Sequence, residues 1–326
     1  MLCFIATFFL KGYKMKDIVK KYASIVGIGF AMGSANVIPG VSGGTIAFIS
    51  GIYEELINSI RQCVSPATLK MAVKFDFKGL YNTLPWKFLL ALCIGVALSF
   101  ATMAKFFVWM LEKHPQITYA FFFGLILASI FTMAKKVDKW SASVIISAIG
   151  GAAAAYAVIT MVPMSTPNTW WMMFLCGFIC IVAMILPGLS GSFLMLILGQ
   201  YERVWKAVAD VCSFKISFDN LLLIFWVALG SIIGLGSFVH ILNYLMRRFK
   251  DATTAALIGF MVGTLPRIWP YIEETGFVLK KGKMVATKFK CLAPEWNISL
   301  LYISLTAAAG LVIVLLIEKF AEKGEN

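Results

Sequence analysis

The chain alternates between long apolar segments and short polar stretches. In the first half the apolar segments cover residues 22–38, 41–60, 88–111, 117–134 and 141–162. In the second half they cover residues 171–186, 189–201, 220–246, 252–266 and 298–317. Continuous apolar runs of this length indicate helices that lie in a membrane. We therefore expect an all-α polytopic membrane protein.

One sequence pattern occurs twice, and each copy lies inside apolar sequence. With an offset of 148 residues, the second copy repeats seven residues of the first, namely Pro39, Gly40, Ser42, Gly43, Gly51, Tyr53 and Glu54. Further along, an offset of 135 residues aligns Gly95, Thr118, Ala120 and Gly124 with Gly230, Thr253, Ala255 and Gly259. The sequence thus predicts two repeats, a first over residues 22–162 and a second over residues 171–317.

The length around each motif predicts a re-entrant hairpin. Between Lys21 and Glu54 lie 32 uncharged residues, and residues 171–201 give 31 more, each interrupted by Pro-Gly-x-Ser-Gly. Two spans need about 40 residues, so two half-helices that meet inside the membrane fit better. Each repeat then has one hairpin and three transmembrane helices. An odd number of crossings inverts the second repeat relative to the first, as in alternating-access transporters.

Charge predicts the orientation. The formal net charge is +13, and with the N-terminus inside, 18 of the 29 Lys and Arg residues fall on the cytoplasmic side. The positive-inside rule then makes residues 1–21 a cytoplasmic N-terminal segment and residues 318–326 a cytoplasmic tail. Basic residues between apolar segments suit anionic phospholipids as partners, and they do not indicate nucleic acid.

The two motifs have the chemistry of an anion site. Proline ends one half-helix and glycine permits the turn, so the next half-helix starts with unpaired N–H groups that a serine can cap. Such a helix start carries partial positive charge and binds phosphate. Two opposed starts predict a phosphate site built from Pro39, Gly40, Ser42, Gly43, Gly44 and Thr45 together with Pro187, Gly188, Ser190, Gly191 and Ser192.

Charged and polar residues near the motifs are accessory candidates. Glu54 and Glu202 either carry protons or pair at the interface with Arg61 and Arg203. Arg267 either binds phosphate through its guanidinium fork or extends to the membrane interface. Lys105 and His240 occupy equivalent places in long spans, where they face a cavity or simply pack.

Three other functions remain as alternatives. A transporter or channel for a small soluble anion would use the same helix starts. An intramembrane serine hydrolase is less favoured: Gly40-Val-Ser-Gly-Gly matches a nucleophile elbow, but the only histidines are His114 and His240. A non-catalytic scaffold would bind no ligand. No metal-ligand spacing or nucleotide motif is present, so we expect a transporter without cofactor or metal.

The motif residues resemble a known family. Asn36-Val-Ile-Pro-Gly-Val-Ser-Gly-Gly-Thr, followed by Gly51-Ile-Tyr-Glu, resembles the polyprenyl-phosphate (undecaprenyl phosphate) transporter family. Pro187-Gly-Leu-Ser-Gly-Ser and Gly263-Thr-Leu-Pro-Arg-Ile-Trp-Pro resemble two further signatures of that family. The resemblance extends over residues 22–317. Asn36 stands where many members carry aspartate.

The resemblance implies a lipid substrate. Members of the family are taken to return undecaprenyl phosphate, the lipid carrier of cell-wall synthesis, from the outer to the inner leaflet of the bacterial cytoplasmic membrane. We therefore expect a multi-pass inner-membrane protein that holds the phosphate between its two turns while the prenyl chain stays in lipid. Homo-oligomer formation, prenyl length and the coupling ion are left open.

Overall fold

The computed structural model describes residues 20–36, 42–161, 166–215, 217–280, 283–294 and 298–325. About four fifths of the described residues are helical. The first eight helices are α1 (residues 20–36), α2 (Gly43–Ile49), α3 (Tyr53–Cys63), α4 (Pro66–Val73), α5 (Phe77–Thr83), α6 (Trp86–Lys113), α7 (Pro115–Ala134) and α8 (Ala142–Ile159). The remaining helices are α9 (Trp170–Ile185), α10 (Gly191–Ile197), α11 (Tyr201–Cys212), α12 (Phe218–Arg248), α13 (Lys250–Thr264) and α14 (Ile298–Glu325).

Within the described ranges, four helices are long and apolar enough to cross a membrane: α6, α7, α8 and α12. Helix α9 and residues 300–316 of α14 are shorter apolar helices. These helices confirm the expected class of all-α membrane protein. Helix α13 has 15 residues and gives way to a 3-10 turn over Leu265–Ile268. That turn carries Pro266 near its start, where the ring cannot continue an α-helix.

Helices α1 and α6 pack closely, and so do α9 and α12. Gly95 on α6 lies against the carbonyl oxygen of Val26, and Gly230 on α12 lies against that of Phe174. A side chain at either glycine would collide with backbone, so glycine is what lets the helices approach. The hydroxyls of Ser34 and Ser99 add a buried hydrogen bond of 2.8 Å between α1 and α6.

Helices α7 and α8 pack against helices from the other end of the chain. Gly124 on α7 lies against the carbonyl oxygen of Ala307 on α14, and Gly259 on α13 lies against that of Ala148 on α8. In each of these two pairs, one helix therefore comes from the first half of the sequence and the other from the second half. The repeat aligns these glycines with one another, Gly95 with Gly230 and Gly124 with Gly259.

The segment after each motif is shorter than predicted. Helix α2 ends at Ile49 and α10 ends at Ile197, so each has seven residues. Gly51 and Gly199 follow them with φ of 74° and 68°, and a glycine in the left-handed region ends a helix. Glu54 and Glu202 consequently lie in the first turns of α3 and α11, instead of at the ends of the half-helices.

Two smaller features lie between the long helices. Residues 61–87 contain α4 and α5, which are separated by Phe75 with φ of 55°. Strand β1 (Ile272–Lys280) pairs antiparallel with β2 (Lys283–Cys291). Lys281 and Gly282 themselves lie outside the described residues.

Candidate substrate-binding site

Ser42 caps α2 as the sequence predicts. Its backbone is extended, its Oγ accepts a hydrogen bond of 3.1 Å from the N–H of Gly44, and its carbonyl accepts one of 2.9 Å from the N–H of Thr45. Both Ser42 and Thr45 are buried. Pro39 and Gly40, also predicted for this site, lie outside the described residues.

The start of α2 is already occupied by another side chain. The Oδ1 of Asn36 accepts a hydrogen bond of 2.7 Å from the N–H of Gly43. Together with the bonds from Gly44 and Thr45 to Ser42, this satisfies the first N–H groups of α2, which the sequence analysis expected to be free. An amide oxygen stands where an anion oxygen would accept the same bond.

The second turn, which joins α9 to α10, is more accessible than the first turn, which precedes α2. Ser190 is the N-cap residue of α10, but its side chain makes no capping bond. Its hydroxyl instead lies 2.7 Å from that of Ser192, which is exposed. Gly191 packs against α9, where an added Cβ would come within 2.6 Å of the carbonyl oxygen of Cys180. The two copies of the motif therefore differ in how much of each turn is available to a ligand.

The structure brings the two motifs into contact. The N–H of Gly188 donates a buried hydrogen bond of 2.9 Å to the Oγ1 of Thr45. Gly188 has φ of 88°, which favours glycine. The hydroxyl of Tyr53 donates to the carbonyl oxygen of Ile185 at 3.0 Å, which satisfies a carbonyl at the end of α9. Pro187 is buried in the same turn.

Arg267 lies beside the second turn. Its guanidinium stands over the rings of Phe193 and Phe289, 5.7 Å and 5.5 Å from their centroids. Phe193 directly follows Ser192, and Phe289 belongs to β2. Cation–π contacts on two sides position this side chain at the rim of the turn.

Sequence analysis did not identify a polar contact between α3 and α12. The Nδ2 of Asn243 donates a hydrogen bond of 2.6 Å to the Oδ1 of Asn58. A cavity of about 140 Å³ beside this pair is also lined by Glu54 and Arg247. The signal was an asparagine inside the long apolar helix α12, because polar residues at such positions often serve function.

The expected interfacial ion pairs are not formed by the described side chains. Glu54 and Glu202 are exposed, and neither contacts Arg61 or Arg203 as an ion pair. His240 is also exposed, and its Nδ1 lies 2.6 Å from the carbonyl oxygen of Gly236 on its own helix. The side chain of Lys105 lies outside the described residues.

The hydroxyls predicted as nucleophiles have no histidine partner in the described chain. That of Ser42 is bonded to Gly44, and that of Ser190 to Ser192. A serine hydrolase needs a base within hydrogen-bond reach, so this arrangement does not form a catalytic pair.

Apolar helices that pack through glycine, together with two motif turns that contact each other, define a polytopic helical membrane protein. Residues 32–285 match a family model described as undecaprenyl phosphate translocase-like. The chain therefore belongs to the undecaprenyl phosphate translocase-like family. It is a transporter and not an enzyme.

Two curated relatives agree with this membership. The chain is 40% identical over 307 residues to a polyprenyl-phosphate transporter of Vibrio cholerae, covering 90% of this chain and 96% of the relative. It is 30% identical over 258 residues to a polyprenyl-phosphate transporter of Staphylococcus aureus, covering 74% and 84%. No solved structure matches the chain. The resemblance to polyprenyl-phosphate transporters is thereby confirmed.

Proposed function

We propose that the protein moves undecaprenyl phosphate from the outer to the inner leaflet of the bacterial cytoplasmic membrane, which returns the lipid carrier for reuse. The names of both relatives support polyprenyl phosphate as the substrate. The observation that carries the mechanism is the contact between the two turns, formed by Gly188 and Thr45. This contact supports a single site formed by both motifs, in which one phosphate would reach each of them.

The phosphate would be held between the two half-helix starts. At the second turn, the hydroxyls of the half-buried Ser190 and the exposed Ser192 would supply donors. At the first turn, a phosphate oxygen would replace the Oδ1 of Asn36 on the N–H of Gly43, a bond that is now 2.7 Å long. Arg267 at the rim would add a charged donor. The prenyl chain would remain in lipid, because its transfer to water is strongly unfavourable.

The two halves would act as inverted repeats, residues 22–162 and 171–317. Equivalent glycines at the same kind of helix contact support this reading, Gly124 on α7 and Gly259 on α13. With both termini in the cytoplasm, the buried first turn would be closed toward the inside, and the second turn, where Ser192 is exposed, would be open toward the outside. The described conformation then corresponds to an outward-facing state of an alternating-access cycle.

The test is leaflet exchange of a polyprenyl phosphate in proteoliposomes. Wild type should catalyse exchange, and Gly43→Leu/Gly191→Leu should abolish it, because leucine would collide with Asn36 at the first turn and with α9 at the second and displace both turns. Gly150→Leu is the matched control, since nothing lies within 4 Å of a Cβ at Gly150. A milder variant, Ser190→Val/Ser192→Val, removes two hydroxyls that bond only to each other and should slow exchange.

Each outcome separates the alternatives. Full exchange by a correctly folded Ser190→Val/Ser192→Val variant would remove the second turn from the site. Absence of exchange by wild type, under either direction of pH gradient, would refute lipid transport and favour a small soluble anion as the substrate.

A further inference from the structure

Three buried polar atoms near the start of α11 have no hydrogen-bond partner among the described residues. They are the Oγ1 of Thr169, the Oε1 of Gln200 and the Nη1 of Arg203. Gln200 is only 1% exposed. Burial without a partner is costly for a polar atom and more so for a charged one, and native proteins rarely tolerate it. Such a group of atoms indicates a missing partner.

The three residues lie where two helices begin. Thr169 is the N-cap residue of α9 and Gln200 that of α11, and neither side chain makes a capping bond. The Nε2 of Gln200 is bonded to the Oγ1 of Thr166 at 2.8 Å and lies 3.5 Å from the Oδ1 of Asn168, which joins the two helix starts. Arg203 follows Gln200 by three residues, on the same face of α11. The starts of two helices, of 16 and 12 residues, are thus joined through Gln200, and Arg203 lies in the first turn of the second. Each helix start carries partial positive charge.

At the equivalent position in the first half, two side chains of the protein contact each other. The offset of 148 residues aligns Thr169 with Lys21 and Arg203 with Glu55. The Nζ of Lys21 lies 3.9 Å from a carboxylate oxygen of Glu55. The first half therefore has a partly exposed cation–anion pair at this position, whereas Arg203 forms no ion pair with a described carboxylate. Glu202 beside Arg203 is exposed and forms no ion pair with it.

We propose that Thr169, Gln200 and Arg203 form a second phosphate site, distinct from the two turns, which captures the phosphate monoester headgroup of the lipid. A singly protonated phosphate satisfies all three orphaned atoms. Its anionic oxygens accept from Arg203 and from the helix starts, its remaining hydroxyl donates to the Oε1 of Gln200, and Thr169 can donate or accept. The choice of a lipid headgroup from the outer leaflet as the ligand of this site rests on the proposed function.

The experiment counts phosphate sites on the full-length protein in nanodiscs of zwitterionic lipid, with radiolabelled farnesyl phosphate as the probe. Wild type should bind two molecules per chain. Arg203→Gln should bind one, or bind the second at least tenfold more weakly. Lys206→Gln is the matched control, because it removes the same charge from an exposed position on α11 and should leave two sites.

A second variant distinguishes loss of the phosphate site from unfolding of the protein. Thr169→Lys/Arg203→Glu transplants the ion pair of the first half and supplies the missing anion from the chain. This variant should keep the melting temperature of wild type and still lose one site. Competition with farnesol and with inorganic phosphate identifies the source: displacement by inorganic phosphate at equal potency assigns the site to free phosphate, and a large preference for farnesyl phosphate assigns it to the lipid.

The outcomes keep the two proposals apart. Two sites in Thr169→Lys/Arg203→Glu would overturn the second site and leave only a water beside Arg203, with leaflet exchange by wild type unaffected. Loss of one site, together with absence of leaflet exchange by wild type, would support the phosphate site and refute lipid translocation.

Discussion

The hydroxyl of Thr45 accepts a hydrogen bond of 2.9 Å from the backbone N–H of Gly188, although 143 residues separate them. Both atoms are buried, and each belongs to one copy of the repeated motif. The N–H lies in a turn that no helix or strand can satisfy, so the threonine supplies the acceptor that the backbone lacks. Movement of one turn relative to the other must break this bond.

Thr45→Val should destabilise the protein by about 1–3 kcal/mol, because an isosteric side chain leaves the buried N–H of Gly188 without an acceptor. Thermal unfolding in detergent measures the loss. Thr160→Val is the control, since Thr160 is exposed and bonds only within its own helix. Equal melting temperatures for the two variants would show that the contact between the turns contributes nothing.

The two repeated tyrosines provide a matched pair. Tyr53→Phe should lower stability by about 1 kcal/mol, because it removes the bond to the carbonyl of Ile185. Tyr201→Phe should be neutral, since Tyr201 is 37% exposed and its ring, which the variant keeps, meets that of Trp205 edge-on. Chemical denaturation of both variants tests the difference. A larger effect at Tyr201 would contradict the asymmetry between the turns.

Glycine positions along the helices should differ sharply in tolerance. Gly124→Ala and Gly259→Ala should each cost about 1–3 kcal/mol, because the added methyl group meets a carbonyl oxygen of the paired helix. Gly150→Ala should be neutral or stabilising by up to about 1 kcal/mol, since its surroundings are open and alanine favours helix. Resistance to unfolding by SDS compares the three. Tolerance of alanine at Gly124 would show that α7 and α14 are less closely packed than described.

The Asn58–Asn243 contact should part during transport if the first half must open toward the cytoplasm. Asn58→Cys/Asn243→Cys, joined by a short thiol-specific crosslinker, should stop leaflet exchange. A monofunctional reagent of the same chemistry should leave most exchange intact, which separates constraint from bulk. Undiminished exchange after complete crosslinking would show that α3 and α12 stay together throughout the cycle.

Local chemistry made much of the architecture predictable. Apolar segment lengths located α6, α7 and α12 to within a few residues, because long helices in lipid carry a strong compositional signal. Ser42 was predicted as a cap, since an N-cap bond spans only two residues. The break at Gly51 was missed, although its recurrence as Gly199 was visible. The apolar run across each glycine concealed a change of helix direction.

Long-range contacts could not be predicted from spacing. Nothing local in the sequence places Thr45 against Gly188, because that contact depends on how whole helices pack. Asn36 was noted only as a departure from the family pattern, yet its amide closes the start of α2. The group around Gln200 was missed for a similar reason: its partners Thr166 and Asn168 lie more than 30 residues away in the chain.

The pairing of α7 with α14 and of α8 with α13 has a consequence for how this chain can be divided. Two helices of each half pack against helices of the other half. A fragment that ended after α8 would therefore leave the glycine-containing faces of α7 and α8 without their partner helices. Neither half could then fold alone, whereas two half-length polypeptides made together could exchange those helices and rebuild every crossing. If the chain is divided in the loop between α8 and α9, transport activity should therefore be found only when both fragments are inserted into the same membrane.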